Sequence, residues 1–218
     1  MPDVQSLLQV TDTNVRKWGT QLFFLMAPDA PIDDHQWFGT EDHLPVLPDG
    51  AKQLGYITTD GIASEDSISS EPTQMLQTLE TVRSDLTGIE KTMTVAFGED
   101  NGFVQALWHG KPFEEFPEDP QAPWVFDDGD ISQYPFYRGG WIGQDGVGSQ
   151  ARYRVEFGYR ITLTAKESRS ANRSDPETYG FTFGLYKDPA IGLSFTRGQN
   201  GPAYHNGTTD NGTTDPEG

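Results

Sequence analysis

The chain contains no cysteine, which rules out disulfide bridges and thiolate metal sites, so stability must come from packing or from association. No stretch approaches the ~18 apolar residues of a membrane-spanning helix. The opening, "MPDVQSLLQVTDTNVRKW", has no basic leader followed by an apolar run, so no secretion signal and an aqueous compartment are expected. Basic residues are scarce: 15 Lys and Arg face 33 Asp and Glu, giving a formal charge of −18. A field of that sign repels nucleic acid and excludes it as a tight general ligand. It also keeps a protein soluble, and it lets a polyanion pass without sticking.

What is present points to β structure. The 218 residues suit one domain, or one with extensions, and 24 Gly and 15 Pro describe a turn-rich chain rather than a helical bundle. In "YRVEFGYRITLT", Tyr153, Val155, Phe157, Tyr159, Ile161 and Leu163 alternate with Arg154, Glu156, Gly158, Arg160, Thr162 and Thr164. That period of two predicts a long strand of about 40 Å with one face buried and the other exposed or shared. "KTMTVAF" repeats the pattern with Met93, Val95 and Phe97 on one face. Weaker strand candidates are residues 20–27, 53–58, 75–84, 136–143, 180–186 and 192–196, a spacing that suits a β-sandwich or barrel. One short helix is expected, capped by Asp100 or Asn101, with Val104, Leu107 and Trp108 on one face and Gly110 as its stop. Residues 28–51 and 112–137 carry many carboxylates and prolines and read as mobile, as does the "NGTTDNGTTD" tail.

Catalytic and cofactor motifs are weak. No phosphate-binding G-x-x-x-x-G-K-[ST] occurs, and "RGGWIGQDGVG" reads as a strand and hairpin turn around Gln144-Asp145-Gly146. His35 and His43, with Asp34, Glu41 or Asp42, have ligand chemistry for zinc but not the helical spacing of a H-E-x-x-H site. The Asp127–Asp130 stretch has oxygen ligands suited to calcium without an EF-hand's closing Glu, and an acidic turn is the simpler expectation. No G-x-S-x-G elbow is present, and carboxylate pairs for glycoside hydrolysis are neither excluded nor indicated among 33 acids. Neither a catalytic residue nor a cofactor is therefore expected. Trp18, Trp37, Trp108, Trp124 and Trp141 could stack on sugar rings, which gives the alternative of a carbohydrate-binding sandwich; such residues more often fill cores and anchor subunit contacts.

One stretch remains. "LGYITTDGIASEDSISSEPTQML" starts like a strand, meets the turn pair Asp60-Gly61, and continues as an acidic tract up to Glu71-Pro72. With "TVRSDLTGIEKTMTVAFGEDN" after it, it resembles the central part of siphophage major tail proteins, the tail-tube subunits. Leu54, Gly55, Tyr56, Asp60, Gly61, Val82, Arg83, Thr92, Thr94, Val95 and Phe97 stand at the matching places, and "APWVFDDGD" and "YRVEFGYRITLTAKE" look like the family's later strands.

The resemblance spans roughly residues 15–167. It lacks the aromatic expected near Met75-Leu76-Gln77, and the chain runs on past Glu167. It implies an N-terminal arm (1–14), a tail-tube β-sandwich (15–167) with one short helix, a C-terminal extension (168–205) and an acidic tail (206–218). It further implies hexameric rings stacked into a virion tail tube assembled in the host cytoplasm, a tape-measure protein inside, a terminator at the end, and DNA passing without specific binding. The tract at 59–74 would be a loop that orders on stacking. Thr59, Asp60, Gly61, Glu65, Asp66, Glu71 and Arg83 are then the candidates for contacts between rings or subunits.

Overall fold

The computed structural model describes residues 15–32, 34–76, 78–129 and 132–205. Strands β1 (Thr20–Met26), β2 (Lys52–Gln53), β3 (Ile57–Met75), β4 (Thr78–Phe97), β5 (Phe136–Asp145), β6 (Arg152–Lys166), β7 (Tyr179–Tyr186) and β8 (Phe195–Asn200) form one antiparallel sheet. Its order is β2-β1-β5-β6-β7-β4-β3, and β8 pairs with β6. Helix α1 (Gly102–Trp108) follows β4, and a single turn, α2 (Pro202–His205), follows β8. The fold is mainly β, and no helix among the described residues is long and apolar enough to cross a membrane.

Each face of the sheet carries its own apolar cluster. The run "LFFLM" in β1 alternates between them: Phe23 and Leu25 enter one, Phe24 and Met26 the other, and all four are fully buried. An unbroken apolar run is what a strand covered on both faces requires. The larger cluster gathers Met93, Val95 and Phe97 of β4, Phe181 and Phe183 of β7, and Phe103, Val104 and Leu107 of α1. The sheet curls around it into an open barrel: among the described residues no ladder joins β3 to β1 or β2, but the root of β3 reaches β1, where the Ile62 amide donates to Gln21 Oε1 at 3.0 Å.

Strand β6 departs from the simple alternation expected of it. Between the pairs Tyr137–Ile161 and Gly139–Gly158, one residue of β5 (Arg138) opposes two of β6 (Tyr159 and Arg160). This bulge inverts the side-chain parity. Val155, Phe157 and Tyr159 therefore point into the smaller cluster, whereas Ile161 and Leu163 point into the larger one. The opposite face is not solvent-exposed either, since Glu156, Gly158 and Thr162 are buried. Gly140 allows the close strand approach here, because a Cβ on it would lie 2.0 Å from the Glu156 carbonyl oxygen.

The expected helix is present. Asn101 is its N-cap, accepting from the Phe103 and Val104 amides at 3.0 Å each, while its Nδ2 donates to the Leu54 carbonyl at 3.0 Å. Gly110, with φ +62, ends it.

The two internal acidic segments expected to be mobile are packed covers instead. Ile32, Trp37, Phe38, Leu47 and Ala51 close the smaller cluster, Trp37 meeting Phe157 at 4.8 Å between ring centroids. Phe116 enters the larger cluster, and Lys52 Nζ holds that segment by donating to the Phe116 and Pro117 carbonyls at 3.2 and 3.0 Å. A few apolar anchors outweigh the polar composition, whose carboxylates stay at the surface. The "NGTTDNGTTD" tail and the 1–14 arm lie outside the described residues. Residues 168–205, treated above as an extension, supply β7 and β8, and β7 sits between β4 and β6 at the centre of the sheet.

Candidate functional site

The most distinctive feature is a two-stranded ribbon that leaves the barrel. Strand β4 pairs with β7 only from Lys91 to Phe97, but with β3 along nearly its whole length. Beyond Asp66 and Lys91 the two strands run on alone to the Met75–Thr78 pair. At ~3.3 Å per residue the free part projects roughly 30 Å.

Residues 59–74 are thus not the expected loop, and Asp60-Gly61 does not reverse the chain. Ile57 pairs with Phe97 and Ile62 with Val95, so β3 loops out extra residues between them, Gly61 adopts φ +72, and the strand resumes. The polar tract is extended because the Thr-rich β4 offers a complementary ladder of backbone groups, a non-local cause that local composition does not reveal.

Register separates the ribbon into two faces. Ser64, Asp66, Ile68 and Ser70 pair with Met93, Lys91, Ile89 and Leu86 on one face, which continues the core-facing side of the barrel. Glu65, Ser67, Ser69, Glu71 and Thr73 pair with Thr92, Glu90, Gly88, Asp85 and Arg83 on the other. The first face exposes Ile68 (67%), Leu86 (60%) and Ile89 (53%), with Met75 and Leu76 at the tip. The second is acidic, and its Arg83 is taken by Asp85 at 2.7 Å.

The candidate contact residues therefore fall in different places. Thr59, Asp60 and Gly61 form the looped-out root, beside a cleft of about 330 Å³ that Trp18, Gln21 and Tyr56 also line. Glu65, Glu71 and Arg83 share the acidic face, whereas Asp66 lies on the opposite face, bonded to Lys91 at 2.8 Å. Ile68, Leu86 and Ile89 were missing from the candidates. Each is a lone apolar residue in a polar tract, and only the Ile68–Ile89 pairing shows that they form a stripe.

Both long edges of the ribbon are open among the described residues. β3 is the terminal strand of the sheet, and residues 78–90 of β4 pair with β3 alone. Unpaired edges of this length are normally blunted or covered.

The other candidates are dispersed. His35 bonds the Val46 carbonyl through Nε2 at 3.1 Å, and His43 stacks on His205, so the two are not brought together. Asp128 accepts from His109 at 2.6 Å, and that hydrogen bond holds its carboxyl below the usual range; Asp130 lies outside the described residues. Among the described residues no three His, Asp or Glu are grouped to hold a metal ion. Of the five tryptophans, Trp141 is buried and Trp124 is the most exposed, at 37%, stacked on Phe126. Neither a protein-family model nor a curated protein sequence matches the chain.

Proposed function

We propose that this chain is the structural, non-enzymatic subunit of a phage tail tube. It assembles head to tail through the β3–β4 ribbon into rings that stack around a DNA conduit. The observation that carries the reading is the ribbon itself: among the described residues, two unpaired strand edges and an uncovered apolar stripe on one folded chain.

Pairing follows from topology. If neighbouring ribbons point the same way, the β4 edge of one copy meets the β3 edge of the next with strands antiparallel, the favoured pairing. Such a contact joins two different edges, so it propagates until rotation closes a ring. Closure then satisfies the open backbone groups along both edges of the ribbon.

The two faces of the ribbon also acquire separate tasks. The apolar face continues the barrel's inner side, so in a ring it turns toward the protein wall. Glu65, Glu71, Asp85 and Glu90 then turn toward the lumen, where they repel the phosphates of passing DNA. A tape-measure protein and a tail terminator are the partners this role requires. The runner-up, carbohydrate binding, rests on exposed Trp124 beside His109 and Asp128.

Negative-stain microscopy and sedimentation of the purified chain over a concentration series test the proposal. Rings or tubes at high concentration are expected. A chain that stays monomeric at every concentration, and shifts its Trp fluorescence with oligosaccharides, would replace the tube reading with the sugar one.

A further inference from the structure

A carboxylate buried in a sheet needs donors around it, and Glu156, only 2% exposed, has three from three different strands. Trp141 Nε1 of β5 donates to Oε2 at 3.1 Å, Ser64 Oγ of β3 donates to the same oxygen at 2.8 Å, and Arg197 Nε of β8 donates to Oε1 at 2.6 Å. Glu156 belongs to β6, so a single side chain ties four strands.

The Ser64 bond is the unusual one. Ser64 stands where the ribbon leaves the barrel, on the face that continues the core-facing side. Apart from its pairing with β4, β3 is held by few contacts: the Ile62 amide bonds Gln21, and Ser64 bonds Glu156. β8 supports the same face, since Phe195 lies under Lys91 at 5.9 Å and Arg197 closes over Glu156. A two-stranded ribbon is flexible about its root unless something beside its own ladder fixes it.

We propose that Glu156 is a positioning residue: its carboxylate, held by Trp141 and Arg197, clasps Ser64 and sets the angle at which the ribbon leaves the barrel. The apolar stripe begins four residues further on, at Ile68 and Ile89, and the clasp aims it. The proposal deepens the assembly reading, since a ribbon splayed at many angles forms few closed rings. The angle itself is a property of the single chain and is measured without assembly.

Because the chain has no cysteine, Thr73→Cys and Val147→Cys place one spin label on the ribbon and one on the barrel with no competing thiol. Electron-electron distance measurements on dilute monomer are expected to give one narrow distribution for the parent. Ser64→Ala should broaden it at least ~2-fold with little change in thermal midpoint, because only one hydrogen bond is lost. Ser64→Thr, which keeps the hydroxyl, should restore the narrow distribution. Glu156→Leu, which can neither accept from nor donate to the hydroxyl, should broaden it as Ser64→Ala does; if that variant fails to fold, the serine pair decides. Ser64→Ala matching the parent, or Ser64→Thr as broad as Ser64→Ala, overturns the clasp. Failure of the parent to assemble at high concentration would instead overturn the tube and leave the clasp standing.

Discussion

Replacing Ile68 by serine separates association from folding. In the single chain Ile68 is 67% exposed on a ribbon face that no other described residue covers, so the folded monomer loses little when its side chain shrinks. Surface changes of this kind usually stay within about 0.5 kcal/mol. In a closed ring the same side chain is covered. Burying its remaining two-thirds at ~25 cal/mol per Å² stabilises each contact by about 1–2 kcal/mol. Since ~1.4 kcal/mol is a factor of ten, Ile68→Ser should raise the concentration at which rings appear roughly 10-fold. Adding Leu86→Ser and Ile89→Ser should raise it on the order of 1,000-fold, as the three residues share one face. Sedimentation velocity across a dilution series measures the first quantity, and thermal melting by circular dichroism the second. Unchanged assembly in the triple variant, or a melting loss of many degrees in the single one, would refute the reasoning. The first result would mean that the stripe is not the contact, and the second that the chain covers it itself.

Other expectations concern the barrel. Asn101→Ala removes the α1 cap and its bond to Leu54, and should cost about 1–2 kcal/mol in urea unfolding without changing assembly of the folded fraction. Gly140→Ala should prevent folding altogether, because its Cβ would lie 2.0 Å from the Glu156 carbonyl oxygen; soluble expression reports this directly. Burial pushes the Asp188 carboxyl up, but hydrogen bonds from Arg138 and from the Ala190 and Ile191 amides outweigh it and hold it below its usual range. The stability this supplies is present above the unfolded carboxyl pKa of about 3.9 and lost as pH falls through the lower folded value. Asp188→Asn should remove that acid limb from a pH series of melting points. It should also cost about 3–5 kcal/mol at neutral pH by leaving Arg138 buried without its counter-ion.

The elements legible in the sequence are those whose cause is local. α1 was readable because Asn101, the Val104–Leu107–Trp108 face and Gly110 all lie within ten residues. β1, β5, β6, β7 and the Lys91–Phe97 end of β4 are readable from alternation or apolar runs, whereas the rest of β4 shows only as the weaker candidate 75–84. The inverted parity of β6 was not, because the bulge is defined against β5, and nothing within "YRVEFGYRITLT" marks it. β3 was misread for the same reason: Ser, Glu and Asp disfavour strands on their own, and it is the ladder to β4 that extends them. The covers at 28–51 and 112–137 were misread because composition averages over the few residues that matter, Trp37 and Phe116 among them. At the candidate site, the acidic residues of the ribbon stood out by charge. The Glu156 clasp did not, since it joins residues 92 positions apart.

The central place of β7 bears on how this protein comes to be folded. β4 ends at Phe97, yet the strand that seals it to β6 begins only at Tyr179. The ribbon is made of neighbours in sequence and zips early, whereas barrel closure must await a segment synthesised much later. A nascent chain therefore carries a finished connector on an unfinished body. If the ribbon is the assembly surface proposed above, rapid production from many ribosomes at once would bring such ribbons together before their bodies are complete, and the translation of residues 98–186 would be the interval of greatest exposure.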